Sequence, residues 1–78
     1  MTLRMDLRDL APPEPMERIL DALDALEPGQ RLEALTPFRP VSLLPILDEM
    51  GHAWRVVMDP AGHARITIWH AQDAMLPE

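Results

Sequence analysis

The sequence predicts an α+β fold, a two-layer α/β sandwich in which two helices cover one face of a mixed four-stranded sheet. Two kinds of local pattern lead there. Short segments in which apolar and polar residues alternate read as half-buried strands, and longer ones with apolar residues at helical spacing read as amphipathic helices. Their order along the chain is βαβαββ, which builds one layer of helices on one layer of sheet.

The first strand covers Leu3 to Leu7, where Leu3, Met5 and Leu7 alternate with Arg4 and Asp6. After Ala11-Pro12-Pro13-Glu14-Pro15, the residues Met16, Ile19, Leu20, Leu23 and Leu26 recur at helical spacing. They predict a first helix from Pro15 to Leu26. Proline already has the φ of a first helical position, and Pro28-Gly29 stops the helix at its other end. Glu17, Asp21 and Asp24 fall on its outer face, where charge is ordinarily just solvated.

A short second strand follows from Gln30 to Leu35, and the breaker-rich Thr36-Pro37-Phe38-Arg39-Pro40 is a loop. Leu43, Leu44, Ile46, Leu47 and Met50 make a second, short helix, with Pro45 in or near its first turn or else kinking it. It ends at Gly51, a residue suited to a left-handed C-terminal position. Ala53–Met58 and His63–His70 are the last two strands, joined by Asp59-Pro60-Ala61-Gly62, a composition typical of a tight hairpin. The expected organisation is one domain over residues 1–70 and a flexible C-terminal tail over 71–78.

At 78 residues the chain has room for a single small core, and it contains no cysteine with which to staple it. Tight packing, a ligand or self-association would have to supply the remaining stability. A hydrophobic fraction of 47% places it among folded chains. No apolar run reaches the roughly 20 residues of a membrane helix, and the Met1–Asp6 start lacks a signal-peptide core, so a cytoplasmic location is expected. The net charge of −6 argues against nucleic acid and anionic membrane surfaces as partners. All seven basic residues are arginine, which fits a GC-rich genome and also suits planar pairing with carboxylates or phosphates.

The stretch Met5-Asp6-Leu7-Arg8-Asp9-Leu10-Ala11-Pro12-Pro13-Glu14-Pro15 resembles the start of the TusA/SirA-like sulfur-carrier family, in which a strand and a turn lead into a Cys-Pro-x-Pro motif at the head of the first helix. Aligned on the prolines, Pro13 and Pro15 match the motif and Pro12 takes the place of the sulfur-carrying cysteine. Asp9 stands where the family commonly has glycine. Leu44-Pro45-Ile46-Leu47 followed by Gly51-His52 resembles the family's second helix and its exit. Within that family the chain is most similar to the cysteine-less branch termed domain of unknown function 2249, with its Pro-Pro-Glu-Pro-Met and an aromatic strand like Ala53-Trp54-Arg55-Val56. The resemblance implies a bacterial TusA-like sandwich that cannot carry sulfur as a thiol. Its setting would be redox or nitrogen-oxide metabolism, since such domains accompany hemerythrin-like and nitrogen-oxide-handling proteins.

Four groups of residues are candidates for function. The head of the first helix is a poor anion site, because Pro12, Pro13 and Pro15 have no N–H to donate; a rigid approach to the helix accounts for them. His63 and His70 sit at opposite ends of one strand, about 23 Å apart, too far to share a metal. Pairing Met58 with His63 would bring His52 near Trp69 and His70, with Asp48 and Glu49 close by. His52 and His70 are therefore the candidate metal ligands. The alternative readings are His52 at the last carbonyls of the second helix, and His70 at a solvated strand end.

Ser42 is the sole serine and nothing marks a base beside it, so an enzyme is not expected. The last group is the uncovered side of the sheet. If Trp54, Val56, Ile66 and Ile68 face the helices, Arg4, Arg31, Arg55, Arg65 and Trp69 share the other side with Glu33, Val57 and Thr67. Trp and Arg are enriched at interface hot spots, whereas arginine stems also cover apolar area on an ordinary wet sheet.

The functional expectation is therefore a non-catalytic TusA-like accessory module. It would meet a protein partner or another copy of itself through the open sheet face, with no cofactor. The alternative is a small metal or cofactor carrier using His52 and His70.

Overall fold

A computed structural model describes residues 1–75 of the chain. Its elements are β1 (Thr2–Asp6), α1 (Glu14–Leu23), β2 (Arg31–Thr36), α2 (Leu44–Glu49), β3 (His52–Met58) and β4 (Ala64–His70), followed by a 3-10 turn over Ala71–Met75. The βαβαββ order and the α+β sandwich are as the sequence predicts. The sheet runs β1-β2-β4-β3, with β1 and β2 parallel and the other pairs antiparallel.

Strand alternation decides what is buried. Leu3, Met5, Leu32, Ala34, Ile66, Ile68, Trp54 and Val56 lie in register on one face. Against them pack Ile19, Leu23 and Leu26 from the first helical segment, and Leu43, Leu44 and Leu47 from the second. Ile19, Leu32, Leu43, Leu47, Ile66 and Ile68 are fully buried, so the core runs through the middle of both layers.

Several boundaries differ from expectation by a residue or more. The helix expected to reach Leu26 ends at Leu23, because the Ala25 and Leu26 amides turn back to the Ala22 and Leu23 carbonyls. Such i→i+3 bonds tighten a last turn and use up its orphan carbonyls. Leu26 is buried all the same, so its contribution to the apolar stripe is kept. Gly51 has φ +82° directly after α2, and its amide donates to Asp48 O, the left-handed stop expected of it.

The expected hairpin register needs correction. Ala64, not His63, lies opposite Met58, so His52 faces His70 directly rather than Trp69. Directly opposed residues share a face, and only this register puts Trp54 with Ile68 and Val56 with Ile66 on the core side. One extra residue in the connection makes the difference. The Gly62 amide donates to Asp59 O, Gly62 then takes φ +89°, and the Asp59 amide donates to His63 O. The Asp59 carboxylate holds this bulged turn by accepting from the Ala61 and His63 amides.

The segment expected as a tail begins with the 3-10 turn. The Ala71 amide donates to Gly51 O, and the Asp73 carboxylate accepts from the Gly29 amide at 3.0 Å. Residues 76–78 of that segment lie outside the described residues.

Candidate functional site

The outer face of the sheet is a small grid set by register. One row across β1, β2, β4 and β3 reads Thr2, Arg31, Trp69, Ala53; the next reads Arg4, Glu33, Thr67, Arg55; the third reads Asp6, Leu35, Arg65, Val57. All five residues proposed for this face, Arg4, Arg31, Arg55, Arg65 and Trp69, lie on it together. Among the described residues no helix crosses it, since α1 and α2 both pack on the opposite side.

Charge on the grid is organised around Glu33. Its carboxylate oxygen lies 3.9 Å from the Arg4 Nε on one side and 3.9 Å from the Arg65 Nε on the other. At that distance and exposure each pair contributes little to stability. Their effect is to orient two cations around one partly buried acid. Arg31 lies over the Trp69 ring, its guanidinium carbon 5.1 Å from the centroid, a cation–π geometry on a half-buried indole. Arg55 enters no salt bridge among the described residues. Between these groups lies a depression of about 230 Å³ lined by Thr2, Arg31, Glu33, Arg55, Thr67 and Trp69.

Beside the grid, Asp6 is satisfied locally. Arg8 donates to both its carboxylate oxygens at 2.9 and 2.7 Å, and these bonds hold the Asp6 carboxyl down at about 2. The strand positions of this face thus carry four arginines against Asp6 and Glu33, on a chain of net charge −6. Glu14, Glu17, Asp21, Asp24, Glu27 and Glu49 are exposed on the helix side. The molecule is electrically two-sided.

The two candidate metal ligands also meet. The His52 and His70 rings lie 4.9 Å apart between centroids and are tilted by 48°. His70 is not a solvated strand end: its Nε2 is 2.9 Å from Leu26 O, so as the Nε2–H tautomer it donates to the carbonyl that ends the first helical segment. The interaction between a histidine and a helix-end carbonyl therefore exists, but with the other histidine and the other helix. His52 is buried, and its Nδ1 has no hydrogen-bond partner among the described residues. Burial pushes its imidazole below the ordinary 6.5, the neighbouring His70 adds to that, and the nearby Trp69 backbone opposes it in part.

The carboxylates expected beside this pair are not part of it. Asp48 Oδ1 instead accepts the Trp54 indole N–H at 3.0 Å, and no group of three metal-binding side chains occurs among the described residues.

One feature has no local signal in the sequence. The β1–α1 and β2–α2 connections leave the sheet at the same end and stand apart, forming an apolar groove of about 280 Å³. Pro12, Pro13 and Met16 make one wall, Phe38 and Val41 the other. Phe38 is 52% and Val41 64% exposed, yet both read as unremarkable loop residues because only the fold sets them opposite the prolines. The Thr36 hydroxyl donates to Phe38 O at 2.8 Å and fixes the turn that opens the groove. Ser42 lines it without an acid or a histidine among the other lining residues.

No curated protein and no solved structure matches this chain. The family model described as an uncharacterized conserved protein, DUF2249, matches residues 4–70, from the first strand to the end of the last, and the chain belongs to that family.

Proposed function

We propose that this DUF2249 protein is a non-catalytic accessory module that docks a protein partner through its open sheet face. The observation that carries the reading is the grid itself: four arginines and a half-buried Trp69 gathered on the face that no helix covers among the described residues. Aromatic and arginine side chains with a few fixed hydrogen-bonding groups are the usual anchors of protein interfaces. Arg31 and Trp69 are already stacked, so little side-chain freedom would be lost when they are covered.

The complementary partner surface is acidic at its rim and apolar where it meets Trp69 and Val57. A redox or nitrogen-oxide-handling protein, and the TusA-like ancestry itself, are part of this proposal through the motif resemblance. A non-catalytic role is supported by the groove's chemistry, in which the Thr36 hydroxyl is already used and Ser42 has no base beside it.

The test is native mass spectrometry of the protein isolated from its own host, as wild type and as the double variant Trp69→Ala, Arg55→Ala. The reading expects a stoichiometric protein complex that survives a chelator, weakens with salt and is missing in the variant. A complex indifferent to both substitutions would sink it. A homo-oligomer lost in the variant would keep the face and change the partner to a second copy.

A second reading, a small metal carrier, is favoured by one observation, the unpartnered Nδ1 of buried His52 beside His70. It expects a stoichiometric metal mass in the same spectrum, gone in His70→Ala. A metal-free spectrum with every complex intact would remove it.

A further inference from the structure

The groove at the end of the sheet lies on the helix side, away from the arginine grid, and nothing in the proposed docking role uses it. Its chemistry is selective. In a chain with 13 acidic residues none lines the groove, and the one charged side chain that does is Arg39. Arg39 is exposed and enters no salt bridge among the described residues.

The backbone around it has few donors to offer. Pro12, Pro13, Pro15, Pro37 and Pro40 have none, and the Glu14, Val41 and Leu43 amides already donate to Ala11 O, Arg39 O and Pro40 O. An anion drawn to this end of α1 would therefore be held by a guanidinium and the Ser42 hydroxyl, not by the helix N-terminus. The apolar walls of Pro12, Pro13, Met16, Phe38 and Val41 take a hydrophobic body beside that cation.

We propose that the groove binds a small monocarboxylate with an apolar, aromatic or branched body, its carboxylate paired with Arg39. The volume of 280 Å³ is at the small end for ligand sites. It corresponds to about nine water volumes, or a compound of about ten heavy atoms.

Phenylacetate, with an aromatic ring and one carboxylate, is a suitable probe, and its neutral amide, phenylacetamide, is the matched control. Titration is followed by backbone amide NMR on the full chain, with a dissociation constant of about 1 mM expected for a ligand of this size. Phenylacetate should shift Met16, Phe38, Arg39, Val41 and Ser42 saturably, and phenylacetamide should bind about tenfold more weakly.

In Arg39→Gln, an exposed substitution whose fold the same spectrum verifies, the difference between acid and amide should vanish. Val41→Asp should abolish the binding of both. Three results would overturn the proposal: equal affinity for acid and amide in the wild type, shifts spread outside the groove, or no saturable shift to about 20 mM, far above the expected constant. Shifts at Phe38 and Val41 that follow protein concentration without ligand would likewise overturn it, because they assign the groove to a second copy of the chain.

Discussion

Replacing His52 by leucine should stabilise the domain. The side chain is 7% exposed and its Nδ1 meets no partner, and an unsatisfied buried polar atom typically costs about 1–3 kcal/mol. Leucine has a similar volume, so it removes that cost without opening a cavity. The loss is the tilted contact with His70, about 1 kcal/mol on the scale of an aromatic pair. The balance is about 1 kcal/mol of added stability, or about 4–8 °C in Tm for a domain this small.

The pH dependence supplies a second, independent readout. Well above 6.5 the imidazole is neutral in both folded and unfolded chains and contributes nothing to the dependence. Below 6.5 the unfolded chain takes up a proton that the folded chain, with its lowered pKa, still refuses. His52 therefore subtracts from wild-type stability as the pH drops through 6.5. His52→Leu lacks that term, so its advantage over wild type should widen from pH 7 to pH 5. Urea unfolding followed by tryptophan fluorescence across that range measures both quantities. A variant less stable than wild type at pH 8, or an advantage that does not grow on acidification, would mean that Nδ1 has a partner in solution.

Other expectations rest on single contacts. Arg8→Ala should return the Asp6 carboxyl from about 2 toward 3.8, read by carboxyl-carbon NMR; an unchanged titration would mean the bidentate pair does not form. Gly51→Ala should cost about 1–2 kcal/mol from its φ of +82° alone, since a Cβ there meets nothing within 4 Å; a neutral substitution in urea melts would contradict that backbone geometry. Ile66→Ala, at a position fully buried between the layers, should cost about 2–5 kcal/mol and leave a chain this small largely unfolded, visible as collapse of amide dispersion. Asp48→Ala should weaken the tie from the end of α2 to Trp54 by about 1 kcal/mol without changing the open face, so partner binding through Trp69 should persist.

The open face was legible before any coordinates, because alternation assigns Arg55, Arg65 and Trp69 to one side of their strands and Trp54, Ile66 and Ile68 to the other. What alternation does not supply is which strands are neighbours. Glu33 becomes the centre of the face only because β4 inserts beside β2, bringing Arg65 to one side of it while Arg4 of β1 lies on the other. The pairing of His52 with His70 was expected, whereas its partners were not. Asp48 was drawn to the Trp54 indole, and the Leu26 carbonyl reached His70 because α1 ends one turn early.

The groove shows the same division more sharply. Five of its residues are prolines in two segments more than twenty positions apart, each of which locally signals only a break in secondary structure. Local physics determined the elements of this protein. Side-chain periodicity, proline's fixed φ and glycine's access to positive φ act over a few residues and can be read from neighbours in the chain. The tertiary structure alone decided strand order, the one-residue hairpin register, and which side chains from distant segments share a charge cluster or a cavity. Those depend on contacts that close only when both layers bury the same core.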